Sequence, residues 1–306
     1  MNNNIDKKYT YLVYGLIVQS DIQLPELMEY DKPKEQSEDI RIIRKNMPKH
    51  IQEALRDGKV DCFKKDQIWF SIENVAAYYI KDVNCIEFQP FPEADNQKIK
   101  SFLLGSAFGM LLIMRKSIAL HGGSVVIDGK GIILTGDSGA GKSTLTAAFR
   151  EKGYDFLADD VSVIGEDENS NLTIMPGYPQ QKLCSDAVEK FKYGTNSIKK
   201  IDEDREKYAI AIEDEFRKTD AELKAIYELS VGEVETVQIR KITGTDKLNT
   251  IFNNIYRFGL INYIGIDPIY FKKCVQLAKN IDMYKIIRPK KGYSIDQQIE
   301  IIETIL

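Results

Sequence analysis

From Gly136 to Ser143 the chain reads GDSGAGKS, filling every position of the G-x-x-x-x-G-K-[ST] phosphate-binding loop, with Thr144 next. Gly136, Gly139 and Gly141 admit backbone conformations that a Cβ would forbid. Successive N–H groups, those of Asp137, Ser138 and Ala140 among them, can therefore point into one concavity. A helix starting near Lys142 adds the positive end of its dipole at the same place. Lys142 is then positioned to reach the β- and γ-phosphates of a nucleotide, and the Ser143 hydroxyl to coordinate Mg²⁺. Gly136 through Thr144 form the expected cofactor-binding set, with ATP and Mg²⁺ as its ligands.

Such a loop works between a strand and a helix, and the flanks have that character. Gly131 to Thr135 is a short apolar run bounded by turn residues, as a buried strand should be. Leu145, Ala148 and Phe149 then repeat at i, i+3, i+4, and Gly153 closes the segment as a helix stop. A second short strand candidate follows, Tyr154 to Ala158, ending in Asp159-Asp160. A strand–helix–strand unit returns a parallel strand to the same edge, so this pair should lie beside the loop. One aspartate would hold Mg²⁺, and the other would accept a proton from an attacking hydroxyl. Adjacent side chains on an extended chain face opposite ways, so both roles require a bend at the pair.

His121 is one of two histidines in the chain. Asp128-Gly129, between SVVI and GIIL, is a hairpin signal. If Ile127 pairs with Lys130, regular register places His121 opposite Gly136. A turn longer by one or two residues moves that partner only to Asp137 or Ser138. The imidazole is thus expected at the edge that carries the loop.

L-H-G, hairpin, G-D-S-G-x-G-K-S and A-D-D together resemble the catalytic core of the HPr kinase/phosphorylase family. The resemblance implies an α/β P-loop core of the HPr kinase/phosphoenolpyruvate carboxykinase type, carried here with a smaller, mainly β N-terminal domain. It further implies Lys142 and Ser143 for phosphate and metal, and His121 near the transferring phosphoryl group. Asp159 and Asp160 would supply metal ligand and base. Phosphorylase members carry a glutamate followed by Arg-Gly downstream; after Val163 the nearest stretch is Val234 to Lys241, which lacks Arg-Gly, so phosphorolysis is not expected. The wider layout is similar to the HPr-kinase-like proteins of ribosomal-peptide biosynthesis, including lasso-peptide precursor kinases. Tyr14 to Val18 and Ser20 to Leu27 resemble their opening. Pro176 to Pro179, Asp204 to Tyr208 and Asn254 to Arg257 resemble their later landmarks.

At 306 residues with 43% apolar content, the chain suits two domains with packed cores. Residues 1–95 read as a mainly β domain, with recognition of the acceptor as its functional reading, and 96–306 as the catalytic domain. Tyr9 to Val18 is a strand candidate with Gly15 as a bulge. Ile40 to Ile43, Ile68 to Ile72, Val75 to Ile80 and Asn84 to Gln89 follow as strands. Asn96 to Arg115 turns helical and is expected to pack on the catalytic core. Its apolar run, Phe102 to Met114, is too short to span a bilayer. Beyond the core, Val161 to Ile164 and Leu172 to Met175 form a hairpin. Gly177 to Ser197 and Lys199 to Asp204 read as loop and short helix. Strands are expected at Ala225 to Leu229, Thr236 to Ile239 and Met283 to Ile287. Helices are expected at Asp246 to Phe258, Pro268 to Asn280 and Asp296 to Ile305. Lys182, Arg205, Lys207 and Arg257 are cations that could steady phosphates.

A net charge of −4, without a long block of like charge, disfavours a nucleic-acid partner. The four cysteines are scattered without C-x-x-C spacing, against a metal site or a disulfide framework. No signal-peptide pattern opens the chain, so a cytoplasmic location without a membrane partner is expected. Homo-oligomerisation is left open. The reading that joins these features is a Mg²⁺–ATP-dependent kinase acting on a serine of a peptide or small protein. A nucleotide-binding regulator without phosphotransfer is the competing class, and a kinase of HPr or a small molecule is another.

Overall fold

The computed structural model describes residues 8–33, 35–193, 198–202, 207–212 and 214–306. The chain is α/β and divides into two compact units. One contains the chain up to Lys116 together with Gly259–Asp267; the other contains Ser117–Phe258 and Pro268–Leu306.

The first unit is mainly β. Strands β1 (Tyr9–Val13), β2 (Leu16–Ser20), β3 (Met28–Glu29) and β4 (Ile40–Arg44) precede helix α1 (Lys49–Arg56), and β5 (Asp61–Lys64), β6 (Gln67–Ile72), β7 (Ala76–Lys81) and β8 (Cys85–Pro90) follow it. They form one sheet in the order β3-β1-β2-β4-β8-β7-β6-β5. Tyr9 to Val18 is not a single bulged strand. Tyr14 and Gly15 both take left-handed φ, 53° and 70°, and turn the chain tightly so that Val13 pairs with Leu16. Helix α2 (Asn96–Phe102), a wider π turn (Leu103–Ala107) and α3 (Phe108–Met114) run on as one helix, Asn96–Met114, within this unit. The expected domain boundary stands before Asn96, whereas this compact unit runs on to Lys116. Asp95 starts the helix by accepting the N–H of Gln97. The helix therefore exceeds its apolar run: its 19 residues are long and apolar enough to cross a membrane, and 50% of its apolar window is buried in the fold. The polar first turns, with Lys100 paired to Glu26 at 2.9 Å, hid that length.

The second unit opens with β9 (Ile118–Ile127) and β10 (Lys130–Gly136). Asp128 and Gly129 take φ of 49° and 79°, and Ile127 pairs with Lys130, as the register argument requires. Helix α4 (Lys142–Glu151), β11 (Asp155–Ala158), β12 (Val161–Glu166) and β13 (Leu172–Met175) come next. Then β14 (Gln180–Cys184), α5 (Ser185–Lys190), β15 (Ile198–Asp202) and β16 (Lys207–Ala211) build a separate sheet in the order β14-β16-β15. The expected short helix is present as α5, while strands β14 and β15 stand where the rest was expected to be loop or helix; 194–197, 203 and 204 lie outside the described residues. β17 (Ala221–Gly232), β18 (Gln238–Ile242) and α6 (Thr245–Asn254) follow. The chain revisits the first unit with α7 (Ile261–Ile264), then adds α8 (Pro268–Asn280), β19 (Asp282–Pro289) and α9 (Ile295–Ile305).

The main sheet of this unit runs β10-β9-β12-β13-β17-β19-β18, and β17 also pairs with β10, closing a ring of strands. β10, β17 and β19 are parallel neighbours, so their C-terminal ends share one edge. Their core is largely apolar: Val125, Leu134, Leu145, Phe149, Tyr227, Ile286 and Ile302 meet in one cluster. Burying each such side chain contributes about 1.5–3 kcal/mol, which fixes the strand ends that carry the polar groups.

Candidate active site

Gly136 ends β10 and Lys142 begins α4, so the loop spans strand end to helix start. Gly136, Gly139 and Gly141 take φ of 128°, 81° and 103°, which side-chain-bearing residues rarely adopt. At Gly136 a Cβ would also stand 2.1 Å from the Leu229 carbonyl oxygen on β17, so close strand packing needs glycine there. The Gly136 N–H donates to Asn254 Oδ1 at the end of α6, at 2.9 Å. Asn254 in turn donates to the Thr250 carbonyl at 2.8 Å. Arg288, on β19, donates to the carbonyls of Ala140 and Gly139 at 2.9 and 3.0 Å. Lys142 turns back on the loop, its Nζ 2.7 Å from the Gly136 carbonyl and 3.0 Å from that of Asp137. Burial lowers its pKa.

β11 runs in the direction of β10, but the two are not hydrogen-bonded neighbours. β9 lies between them, antiparallel to both. The aspartates therefore reach the loop edge as expected, with His121 on the intervening strand. Register continues from Lys130↔Ile127 to Thr135↔Gly122, and the Thr135 hydroxyl donates to the His121 carbonyl at 2.8 Å. Two glycines allow this convergence. A Cβ on Gly122 would lie 2.2 Å from the Leu134 carbonyl oxygen, and one on Gly123 would lie 2.3 Å from Thr146 Oγ1 on α4.

The strand breaks at Asp159 and Asp160, between β11 and β12, giving the bend that the pair requires. Their surroundings differ. Asp159 is 8% exposed, accepts the Lys182 N–H at 2.9 Å, and faces Gln181 Nε2 at 3.4 Å. Burial, with Asp160 alongside, pushes its pKa up to about 6. Asp160 keeps 35% side-chain exposure. Burial would raise its pKa, but Lys182, His121, Lys207 and Arg257 outweigh that and hold it below the usual carboxylate range. Lys182 Nζ is 3.8 Å from its Oδ2. Two adjacent carboxylates are thus driven apart in proton affinity.

His121 Nδ1 lies 3.1 Å from the Asp160 carbonyl oxygen, and its ring packs 5.9 Å from that of Tyr256. Partial desolvation lowers the imidazole pKa. Arg257 lies over the Tyr256 ring at 5.1 Å with its backbone in the left-handed region, φ 59°. Lys182 and Lys207 enter from β14 and β16; Arg205 lies outside the described residues. Gln181 joins the loop helix to the acids: its Nε2 reaches the Ser143 carbonyl at 3.1 Å as well as Asp159. Asp137, Ser138 and Gly139 are exposed at the loop tip, and Ser143 and Thr144 are half-buried on the first turn of α4.

Sequence reasoning does not single out Asn254, Arg288, Gln181 or Tyr256 as site residues. Asn254 and Tyr256 lie in a stretch that had been noted as a landmark. Arg288 has a positional signal only, the C-terminal end of a strand parallel to β10. The oxygen donors here, the Ser143 hydroxyl and the two carboxylates, suit Mg²⁺. Among the described residues no group of three or more His, Cys, Asp or Glu side chains could hold a metal.

Residues 113–189 match the family model described as HPr Serine kinase C-terminal domain. The match covers the His121 strand, the loop, α4 and both aspartates. Among solved structures, the Hpr(Ser) kinase/phosphatase from Coxiella burnetii is similar at 17% identity, covering 61% of this chain and 87% of that chain, with a TM-score of 0.32. No curated protein matches the sequence significantly.

Proposed function

We propose that this protein is a Mg²⁺–ATP-dependent kinase that transfers the γ-phosphoryl group to a serine hydroxyl of a peptide or small protein. The observation that carries the reading is the shared edge. The phosphate loop, two carboxylates of opposed proton affinity and an imidazole all open onto it. Binding of a nucleotide alone requires the loop and its lysine but no carboxylate pair.

Lys142 would exchange its loop carbonyls for the β- and γ-phosphates, while the loop N–H groups and the α4 dipole hold the same charge. Mg²⁺, when bound, would neutralise charge on the phosphates. Gln181 ties Asp159 to the Ser143 backbone carbonyl, and one of Asp159 and Asp160 would join the Ser143 hydroxyl on Mg²⁺. The other carboxylate would orient the serine and take its hydroxyl proton. The serine Oγ–P bond forms, the bond from phosphorus to the β,γ-bridging oxygen breaks, and ADP leaves with that electron pair. His121 would fix Asp160, and Lys182, Lys207 and Arg257 would steady the transferring group.

The similarity of Tyr14 to Val18 and Ser20 to Leu27 to the ribosomal-peptide kinases favours a precursor peptide as acceptor. The first unit would recognise it. The test is transfer of label from γ-labelled ATP to serine-terminated precursor peptides, to HPr and to free serine. Label on a peptide, absent with Lys142→Ala and Asp160→Ala, is expected. Tight ATP binding without label on any acceptor would overturn the kinase and leave a nucleotide-binding regulator.

A further inference from the structure

Arg288 lies outside the phosphate-loop motif and outside the segment matching the kinase family. It stands two residues beyond Ile286, which shares with Gly136 the pairing partner Leu229. Its half-buried guanidinium faces the outer wall of the loop. Nε donates to the Ala140 carbonyl at 2.9 Å, Nη2 to the Gly139 carbonyl at 3.0 Å, and Nη1 to the Pro289 carbonyl at 3.2 Å. One rigid fork therefore holds two successive peptide groups.

A trans peptide points its C=O and N–H in opposite directions. Holding the Ala140 carbonyl outward therefore turns the Gly141 N–H to the inner, concave side. Holding the Gly139 carbonyl turns the Ala140 N–H away from Arg288, where it donates to the Asp137 carbonyl at 3.1 Å and closes the loop tip. The residues so held, Gly139 to Gly141, include the two glycines with the most freedom to rearrange, at φ 81° and 103°. A charged donor also polarises the peptide groups it binds, strengthening their N–H groups as donors.

We infer that Arg288 is a positioning residue for nucleotide phosphate, setting the Gly141 N–H before the ligand arrives. This rests on the phosphate-loop reading above. A lysine cannot reproduce the fork, because its ammonium is a point donor.

The test compares the parent with Arg288→Met and Arg288→Lys by titration with a fluorescent ATP analogue and Mg²⁺. Amide hydrogen exchange over 136–142 is measured without nucleotide. Both variants are expected to bind the analogue about tenfold more weakly or worse, corresponding to about 1.4 kcal/mol. Exchange in the loop should quicken while that of β10 and β17 is unchanged, which a general loss of stability would not produce. The cost should appear in KM for ATP more than in kcat. If Arg288→Met fails to fold, Arg288→Lys, which keeps the charge, decides on the same readouts. Unchanged affinity and loop exchange in a folded variant would overturn the inference while leaving nucleotide binding intact. A parent that binds no nucleotide overturns the phosphate-loop reading first and this inference with it.

Discussion

His121 Nδ1 lies 3.1 Å from the backbone carbonyl oxygen of Asp160 and 3.5 Å from its carboxylate. A carbonyl only accepts, so this partner selects the tautomer with hydrogen on Nδ1 and leaves Nε2 as an acceptor. His121→Leu should cut kcat by about 10–100-fold, the usual cost of losing an orienting partner. KM for ATP should change little. A steady-state comparison checks this; an unchanged kcat would remove His121 from the site.

Asp159 supplies a prediction on stability against pH. Its folded pKa of about 6 lies above the ordinary 3.8. A carboxyl that binds its proton more tightly when folded gives stability that is whole below about pH 4 and is lost as pH rises through about 6. Asp159→Asn keeps the shape without the charge, and the Gln181 Oε1, which lacks a partner, could accept from the new amide after a flip. The variant should exceed the parent by roughly 2–3 kcal/mol at pH 8 and match it near pH 4, while losing phosphotransfer. Thermal melts at both pH values check this, and equal melting at pH 8 would show that the carboxylate carries no such penalty.

The site was legible where its residues are close in sequence or joined by a two-residue turn. The loop follows from its motif, and the His121 register from Asp128-Gly129, because a tight hairpin leaves no freedom in pairing. The place of β9 between β10 and β11 was not legible: composition does not order strands in a sheet. Asn254, Gln181 and Arg288 reach the loop across long separations, and single polar residues carry no periodic signal. Helix α1 does carry a short stripe, Ile51, Ala54 and Leu55 at i, i+3, i+4 against one core cluster, but its eight residues give that pattern only one repeat. Gly15 misled because Tyr14, a poor left-handed residue, shares the turn with it.

Gly123 should be irreplaceable for a steric reason that can be isolated. An added methyl would lie 2.3 Å from Thr146 Oγ1 and 3.1 Å from the Asp159 carbonyl oxygen. Gly123→Ala should cost about 1–3 kcal/mol by overpacking. Thr146→Ala removes the obstructing oxygen, along with its own bond to the Lys142 carbonyl at 2.9 Å. The double variant should therefore be more stable than the sum of the single losses implies. Denaturant titration of all four proteins gives the coupling, and strict additivity would refute the contact.

Lys142 separates binding from folding. Lys142 is 8% exposed and its ammonium is held by the Gly136 and Asp137 carbonyls, so it already belongs to a closed loop. Burial of the charge lowers its pKa, which shows that the ammonium is held at a cost in this arrangement. Lys142→Met keeps the stem and removes the charge, so stability without nucleotide should shift by less than about 1 kcal/mol. For the parent, nucleotide at a hundred times its Kd should add about 2.7 kcal/mol of stability. In Lys142→Met that gain should vanish, since the loop N–H groups lose the cation opposite the β- and γ-phosphates. Melting with and without Mg²⁺–ATP measures both quantities, and an undiminished shift in the variant would place the phosphates away from this loop.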